Sequence, residues 1–181
     1  MITSDVHSAH LPDTPAGPVT VWVSRQGVRR VEFGDLPTDA HVESPESRPP
    51  MLTRAVEQLR EYFAGTRHTF DVPIDLEATT DFQRDVYREL VKVPHGRLIT
   101  YGELAEAVGR PELARAVGQA VGSNPVPILI PCHRVIAADH RLGGFGGGLR
   151  AKVALLAVEN VHADGTTETS RVHPEVLRLD L

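Results

Sequence analysis

Apolar residues alternate early in this chain and later recur at helical spacing. Val19, Val21 and Val23 alternate with Thr20, Trp22 and Ser24, which predicts a strand after the turn signal Ala16-Gly17-Pro18. Gln26-Gly27 then predicts a turn into a second strand, Val28–Phe33. Residues 1–15 show no such period and read as a flexible lead-in; residues 34–50, rich in Pro, Ser and acid, read as loop. Leu52, Val56, Leu59 and Phe63 share one helical face, and Gly65 marks that helix's end. Phe70–Leu76 is expected to supply a third strand. The result is a small α+β module over residues 1–76 with no cluster of chemical residues, followed by a linker at 77–80.

From residue 81 the period is helical. Thr80 with Gln83 makes a capping box that opens a helix with the apolar stripe Phe82, Val86 and Leu90, ending at His95-Gly96. Thr100 with Glu103 caps another, carrying Leu104, Ala105 and Val108 and stopping at Gly109. After Arg110-Pro111, Glu112–Val121 forms a further helix with Leu113, Ala116, Val117 and Ala120 inward. Two short capped helices around a Gly-Arg-Pro turn read as a helix-turn-helix, a pattern that pairs of helices without DNA also show. On the second helix Ala114, Ala116, Gly118, Ala120 and Gly122 keep the surface thin, and Arg115 is the long side chain of its first turns. A closing helix is expected over Lys152–Asn160, and residues 161–181 read as a polar tail.

Residues 124–135 fit neither period. Prolines at 125, 127 and 131 fix φ and push the residues before them toward extended geometry. The run therefore presents Cys132, with His133 and Arg134 directly after it, on stiff backbone. A thiol beside a base on a rigid support is how a nucleophile is built, although buried cysteines are often inert. Downstream, Gly143-Gly144-Phe145-Gly146-Gly147-Gly148 lets a flat substrate approach the backbone, or simply moves. Gly146–Ala151 also matches a dinucleotide fingerprint, but without the strand and acidic residue that such a site needs.

Composition narrows the classes. Cys132 is the sole cysteine of 181 residues, which excludes an internal disulfide and a Cys-based zinc site and suits a reducing, cytoplasmic compartment. His7 and His10 lie in the lead-in and do not suggest a metal. No apolar stretch is long enough to span a bilayer. The net charge of −5 argues against a generic nucleic-acid binder. Residues 81–160, however, carry ten Lys/Arg against eight Asp/Glu, so DNA binding is permitted there.

At Pro131-Cys132-His133-Arg134-Val135 the chain resembles the O6-alkylguanine-DNA alkyltransferases. The likeness continues through Thr80-Asp81-Phe82-Gln83, Tyr101-Gly102-Glu103-Leu104-Ala105, Ala114-Arg115-Ala116-Val117-Gly118 and Asn124-Pro125, and ends near Leu155-Leu156 and Glu159. It extends weakly to Tyr62-Phe63-Ala64-Gly65 and Pro15–Val19. The resemblance implies an α+β protein: a ribonuclease-H-like N-terminal module, then a mostly helical winged-helix domain over 81–160 that binds DNA and bears the cysteine. The implied chemistry is single-turnover SN2 transfer of an alkyl group from O6 of guanine, and by extension O4 of thymine, to Cys132. His133, acting through a water and oriented by Glu159, is the implied base, and Tyr101 the donor to the guanine ring.

O6 is out of reach inside a stacked duplex, so the nucleotide must leave the stack. The resemblance gives Arg115 the vacated place, and Ala114 and Gly118 the close approach to the minor groove. Ser123 falls near the phosphates and Asn124 at the hinge before the cysteine segment. Arg134, Val135, Phe145, Gly146 and Gly147 complete the implied substrate-contacting set. Phe145 stands where tyrosine is common and Gly146 where some relatives have serine. No cofactor, metal or membrane is implied; the partner is double-stranded DNA carrying O6-alkylguanine, met by a monomer. Three rival readings fit parts of the sequence. A protein that only flags alkylated DNA has tryptophan in place of the cysteine; a cysteine hydrolase turns over; a helix-turn-helix regulator leaves the Cys-His pair without a use.

Overall fold

A computed structural model describes residues 6–38 and 40–173. Three strands, β1 (His7–Leu11), β2 (Val19–Val23) and β3 (Val28–Phe33), form an antiparallel sheet in that order. Ala9, Val21 and Val31 lie opposite one another across it, and all three are buried. The helix α1 (Pro50–Phe63) covers this face, with Pro50 at its first position, where the missing N–H costs nothing.

The first module departs from expectation in three places. The lead-in is a strand from His7: His10 Nδ1 pairs with Thr20 Oγ1 and His7 Nδ1 with Glu43, so pairing with β2 orders a stretch that has no period of its own. Residues 1–5 of that lead-in lie outside the described residues. The expected strand Phe70–Leu76 is reduced to one bridge between Val28 and Ile74, because Pro73 cannot donate to a ladder. On α1 the buried aromatic is Tyr62, and Phe63 is only half-buried.

Both capping boxes are present, at α2 (Asp81–Leu90) and α3 (Tyr101–Ala107). α2 stops at Leu90 rather than His95, because Pro94 disfavours helical geometry in the residue before it. Its stripe is Val86, Tyr87 and Leu90, with Phe82 half-buried. A two-residue strand, β4 (Ile99–Thr100), leads into α3 and pairs in parallel with β5 (Val135–Ile136). The second helix of the helix-turn-helix begins as a 3₁₀ turn at Pro111–Leu113 and is α-helical only as α4 (Ala114–Gly122). Its buried side is Val117, Ala120 and Val121; Leu113 and Ala116 are half-buried.

The closing helix α5 runs Leu149–Val158 and starts three residues earlier than Lys152. The expected tail is packed as far as it is described: Val161 and Val172 join Leu98, Ile136, Leu142 and Leu156 in a small second core. Residues 174–181 lie outside the described residues. The main core runs unbroken from the sheet and α1 through α2–α4 to Cys132 and Leu155. No described helix is long and apolar enough to cross a membrane.

Candidate active site

Cys132 opens a 3₁₀ turn, Cys132–Arg134, that Pro131 precedes, and only 7% of its surface is exposed. Asn124 ties the segment before it into a loop. Its Nδ2 donates to Ile130 O at 2.8 Å, and its Oδ1 accepts from Val126 N at 3.0 Å. Ile128, inside that loop, sits at φ 78. A branched residue there is strained, and burial at Ile128, Leu129 and Ile130 offsets the cost.

Behind the thiol lies a buried polar network. His133 Nε2 donates to Glu159 Oε1 at 2.7 Å, and neither side chain is exposed. Arg134 binds both oxygens of the same carboxylate, its Nη2 at 2.9 Å from Oε1 and its Nε at 3.0 Å from Oε2. Its Nη1 donates to Val93 O at 2.6 Å. Gly96 N donates to Oε2 at 2.8 Å, and the Tyr62 hydroxyl to Oε1 at 2.9 Å. Arg134, which the resemblance sets against substrate, is buried, and its guanidinium is bonded to Glu159 and to Val93 O.

Charge follows from this geometry. Burial alone would raise the Glu159 carboxyl, but the hydrogen bonds and charges of His133 and Arg134 outweigh it and hold the group well below the usual carboxylate range. Burial lowers His133, Glu159 opposes this, and Arg134 and Lys152 add to the lowering. Burial pushes the Cys132 thiol up to about 11, against the pull of Asn124's hydrogen bond and the Lys152 charge. The resting thiol is thus protonated, and a nucleophile forms only when a base removes the proton during attack.

Cys132 opens onto a cavity of about 280 Å3 between Pro127, Asn124 and the loop Phe145-Gly146-Gly147. Val121 and Gly122 of α4, with Val31, Glu32 and Phe33 of the N-terminal module, supply its remaining wall. Phe33 meets Phe145 edge-on at 5.6 Å, and an added Cβ on Gly147 would stand 2.8 Å from Phe33 Cγ. A larger cavity, about 500 Å3, lies along Trp22, Arg30, Asp75 and Gln83, and Cys132 does not line it.

The other sequence-derived residues divide by location. Tyr101, half-buried, packs against Gly118 and Gly143, where added Cβ atoms would lie 3.7 and 3.5 Å from its ring. Its phenol is raised by burial and then by Cys132 and Glu168. Arg115 is exposed on α4 beside half-buried Ala114. Ser123 accepts from Gln83 Nε2 at 2.9 Å at the end of α4. Val135 is buried in β5, its N–H on Cys132 O and its carbonyl on Lys152 Nζ.

Three residues of the site carry little signal in the sequence. Phe33 shows only strand alternation, and Tyr62 falls in a weakly matching string. Lys152 fits a helix surface, yet its Nζ is buried and donates to Val135, Leu142 and Gly144 carbonyls, pinning β5 to the glycine loop. Burial lowers its pKa to about 8.

Both parts of the chain are similar to known proteins. The description "6-O-methylguanine DNA methyltransferase, ribonuclease-like domain" matches residues 9–76, and "6-O-methylguanine DNA methyltransferase, DNA binding domain" matches residues 81–161. The methylated-DNA--protein-cysteine methyltransferase of Mycobacterium bovis is 43% identical over 154 residues, covering 83% of this chain and 91% of that protein. The protein of that name from Methanosarcina acetivorans is 38% identical over 150 residues, covering 81% and 94%. A crystal structure of Mycobacterium tuberculosis OGT in complex with DNA superposes with TM-score 0.73 at 40% identity, covering 85% of this chain and 93% of that one. With both of its parts matched and relatives aligned over most of its length, the chain belongs to the 6-O-methylguanine DNA methyltransferase family.

Proposed function

We propose that this protein repairs DNA by direct reversal, taking the alkyl group of O6-alkylguanine onto Cys132 once per molecule. The observation that carries the reading is a lone thiol on a proline-braced turn, open to a cavity and backed by the buried His133–Glu159 pair. The damaged nucleotide leaves the duplex and enters the cavity, with α4 against the minor groove and Arg115 in the vacated place. Nδ1 of His133 accepts the thiol proton across a bridging water, and Sγ attacks the alkyl carbon in line with the C–O6 bond. As the S–C bond forms the C–O bond breaks, its electron pair stays on guanine, and the ring takes up a proton with Tyr101 as donor. The product thioether has no leaving group at neutral pH, so the protein is spent.

Asn124, Ser123, Gly118 and Ala114 serve DNA approach and the hinge, and Phe145, Gly146 and Gly147 hold the base. The work takes place where DNA is, in the cytoplasm, on double-stranded DNA. Incubation with a duplex bearing one O6-methylguanine should add one methyl mass to the peptide holding Cys132, and repair should stop at one equivalent. Turnover, or modification elsewhere, sinks the reading; Cys132→Ala should bind the duplex without reacting.

A further inference from the structure

α1 carries a phenol into the relay from the other module. Tyr62 is fully buried, its hydroxyl donates to Glu159 Oε1 at 2.9 Å, and it lies 3.3 Å from His133 Nε2. With the 2.7 Å bond between His133 and Glu159, the three polar atoms close a triangle. The ring itself packs against Phe63 and Phe70, contacts a phenylalanine would make equally well. A buried hydroxyl costs free energy unless it is paired. Its place on Glu159 therefore calls for a role beyond packing.

We propose that Tyr62 is a positioning residue for the alkyl transfer: it holds Glu159 against His133 and draws off part of the carboxylate's charge, so that His133 stays neutral and able to take the thiol proton. The proposal rests on transfer to Cys132 as read above. Oε1 is shared between His133, Arg134 and Tyr62, while Oε2 takes Arg134 and Gly96. Each donor satisfies part of the negative charge, and the less that remains, the less an imidazolium is favoured beside it. An imidazolium has no lone pair for the thiol proton.

Other groups face His133 as well. Arg134 from its own turn and Lys152 from α5 disfavour its charged form, as burial does. Cys132 adjoins it, and His95, stacked on His68 at 4.0 Å, meets the Tyr62 ring at 6.3 Å. Burial and the Glu159 charge raise the Tyr62 phenol, so it remains a donor throughout the working range.

Tyr62→Phe removes one oxygen and keeps the ring. Single-turnover rates with free O6-benzylguanine, followed from about pH 5 to 9, report the loss of the His133 proton as a rising limb. That limb should move up by roughly half to one pH unit in Tyr62→Phe, with the plateau above it retained. The His133 imidazole titration, followed by NMR in the DNA-free protein, should move with it. Phe63→Leu thins the neighbouring packing without touching the hydroxyl and should leave the limb in place. A Tyr62→Phe limb and titration that coincide with those of the wild-type protein overturn the proposal, as does a rate lowered by one factor at every pH. If the wild-type protein takes no alkyl group, the functional reading fails, and the NMR titration still decides what Tyr62 does to His133.

Discussion

Nε2 of His133 stands 2.7 Å from Oε1 of Glu159, with both side chains shut off from solvent. That contact fixes the tautomer, because Nε2–H donates to the carboxylate and Nδ1 is left as the acceptor. Nδ1 is buried and has no hydrogen-bond partner among the described residues. Cys132 next to it has a thiol pushed up to about 11. On the proposed reading, Nδ1 is the acceptor for the proton of a thiol that is otherwise held in its neutral form.

Removing the base should slow transfer and change its pH dependence. His133→Ala should lose about 10²-fold or more in single-turnover rate near neutrality. Its rate should keep rising toward pH 11, since only spontaneous ionisation of Cys132 then supplies thiolate. Glu159→Gln should also slow transfer and raise the pH at which the thiol reacts. It further leaves the buried Arg134 guanidinium without a counter-charge, a loss of about 3–5 kcal/mol in stability that urea unfolding would register. Unchanged thiol reactivity against pH in both variants would show that backbone and desolvation alone set the nucleophile.

Burial of the thiol also makes a stability prediction. A group whose folded pKa is raised contributes stability that is present below its unfolded value and lost as pH climbs through the folded one. For Cys132 that window runs from 9.0 to about 11. Lys152 has the opposite sign: lowered from 10.5 to about 8, it binds fewer protons when folded, so stability rises with pH between those values. The two oppose each other in the wild-type protein. Cys132→Ala isolates the Lys152 rise, and the wild-type advantage over it should shrink by roughly 2–3 kcal/mol across the thiol window. Urea titrations of both proteins at a series of pH values test this, and a constant difference would be the contrary result.

What the sequence disclosed was local or tied to a motif. The boxes Thr80–Gln83 and Thr100–Glu103 each close within one turn, so spacing alone revealed them. β1 escaped notice because His7–Leu11 alternates poorly and is ordered by β2, a partner eight residues beyond its end. Tyr62 and Phe63 are adjacent aromatics, and a helical period with one-residue tolerance does not choose between them. Lys152 carries a charge that reads as surface, and only the three carbonyls converging on its Nζ explain its burial. The ion pair of Arg134 is hidden for a related reason: its partner Glu159 is 25 residues away, brought near by α5.

Phe33 and Gly147 should prove energetically dependent on each other. Gly147→Ala drives a methyl group into the Phe33 ring and should displace the loop over the cavity, costing about 1–3 kcal/mol and slowing transfer. Phe33→Ala removes the nearer obstacle and leaves Phe145 Cε1 2.9 Å from the added Cβ, so the double variant should recover part of what Gly147→Ala loses. A double-mutant cycle on melting temperature and on single-turnover rate measures the interaction. Strict additivity would mean that the loop already rests elsewhere and Phe33 is an ordinary core residue.

Substitution of Arg115 should separate base extrusion from chemistry. It stands exposed on α4, where half-buried Ala114 and Gly118 leave room for another surface to approach. Extruding a paired base costs a few kcal/mol, and a side chain filling the gap recovers part of that only in duplex DNA. Arg115→Ala should therefore slow repair of O6-methylguanine in a duplex by about tenfold, while free O6-benzylguanine reacts at nearly the wild-type rate. Loss of the charge also weakens DNA binding, so the duplex rate must be read at saturating DNA and fixed salt. An equal loss on both substrates would place Arg115 in shaping the pocket. A loss on neither would leave it a solvated arginine with no part in the mechanism.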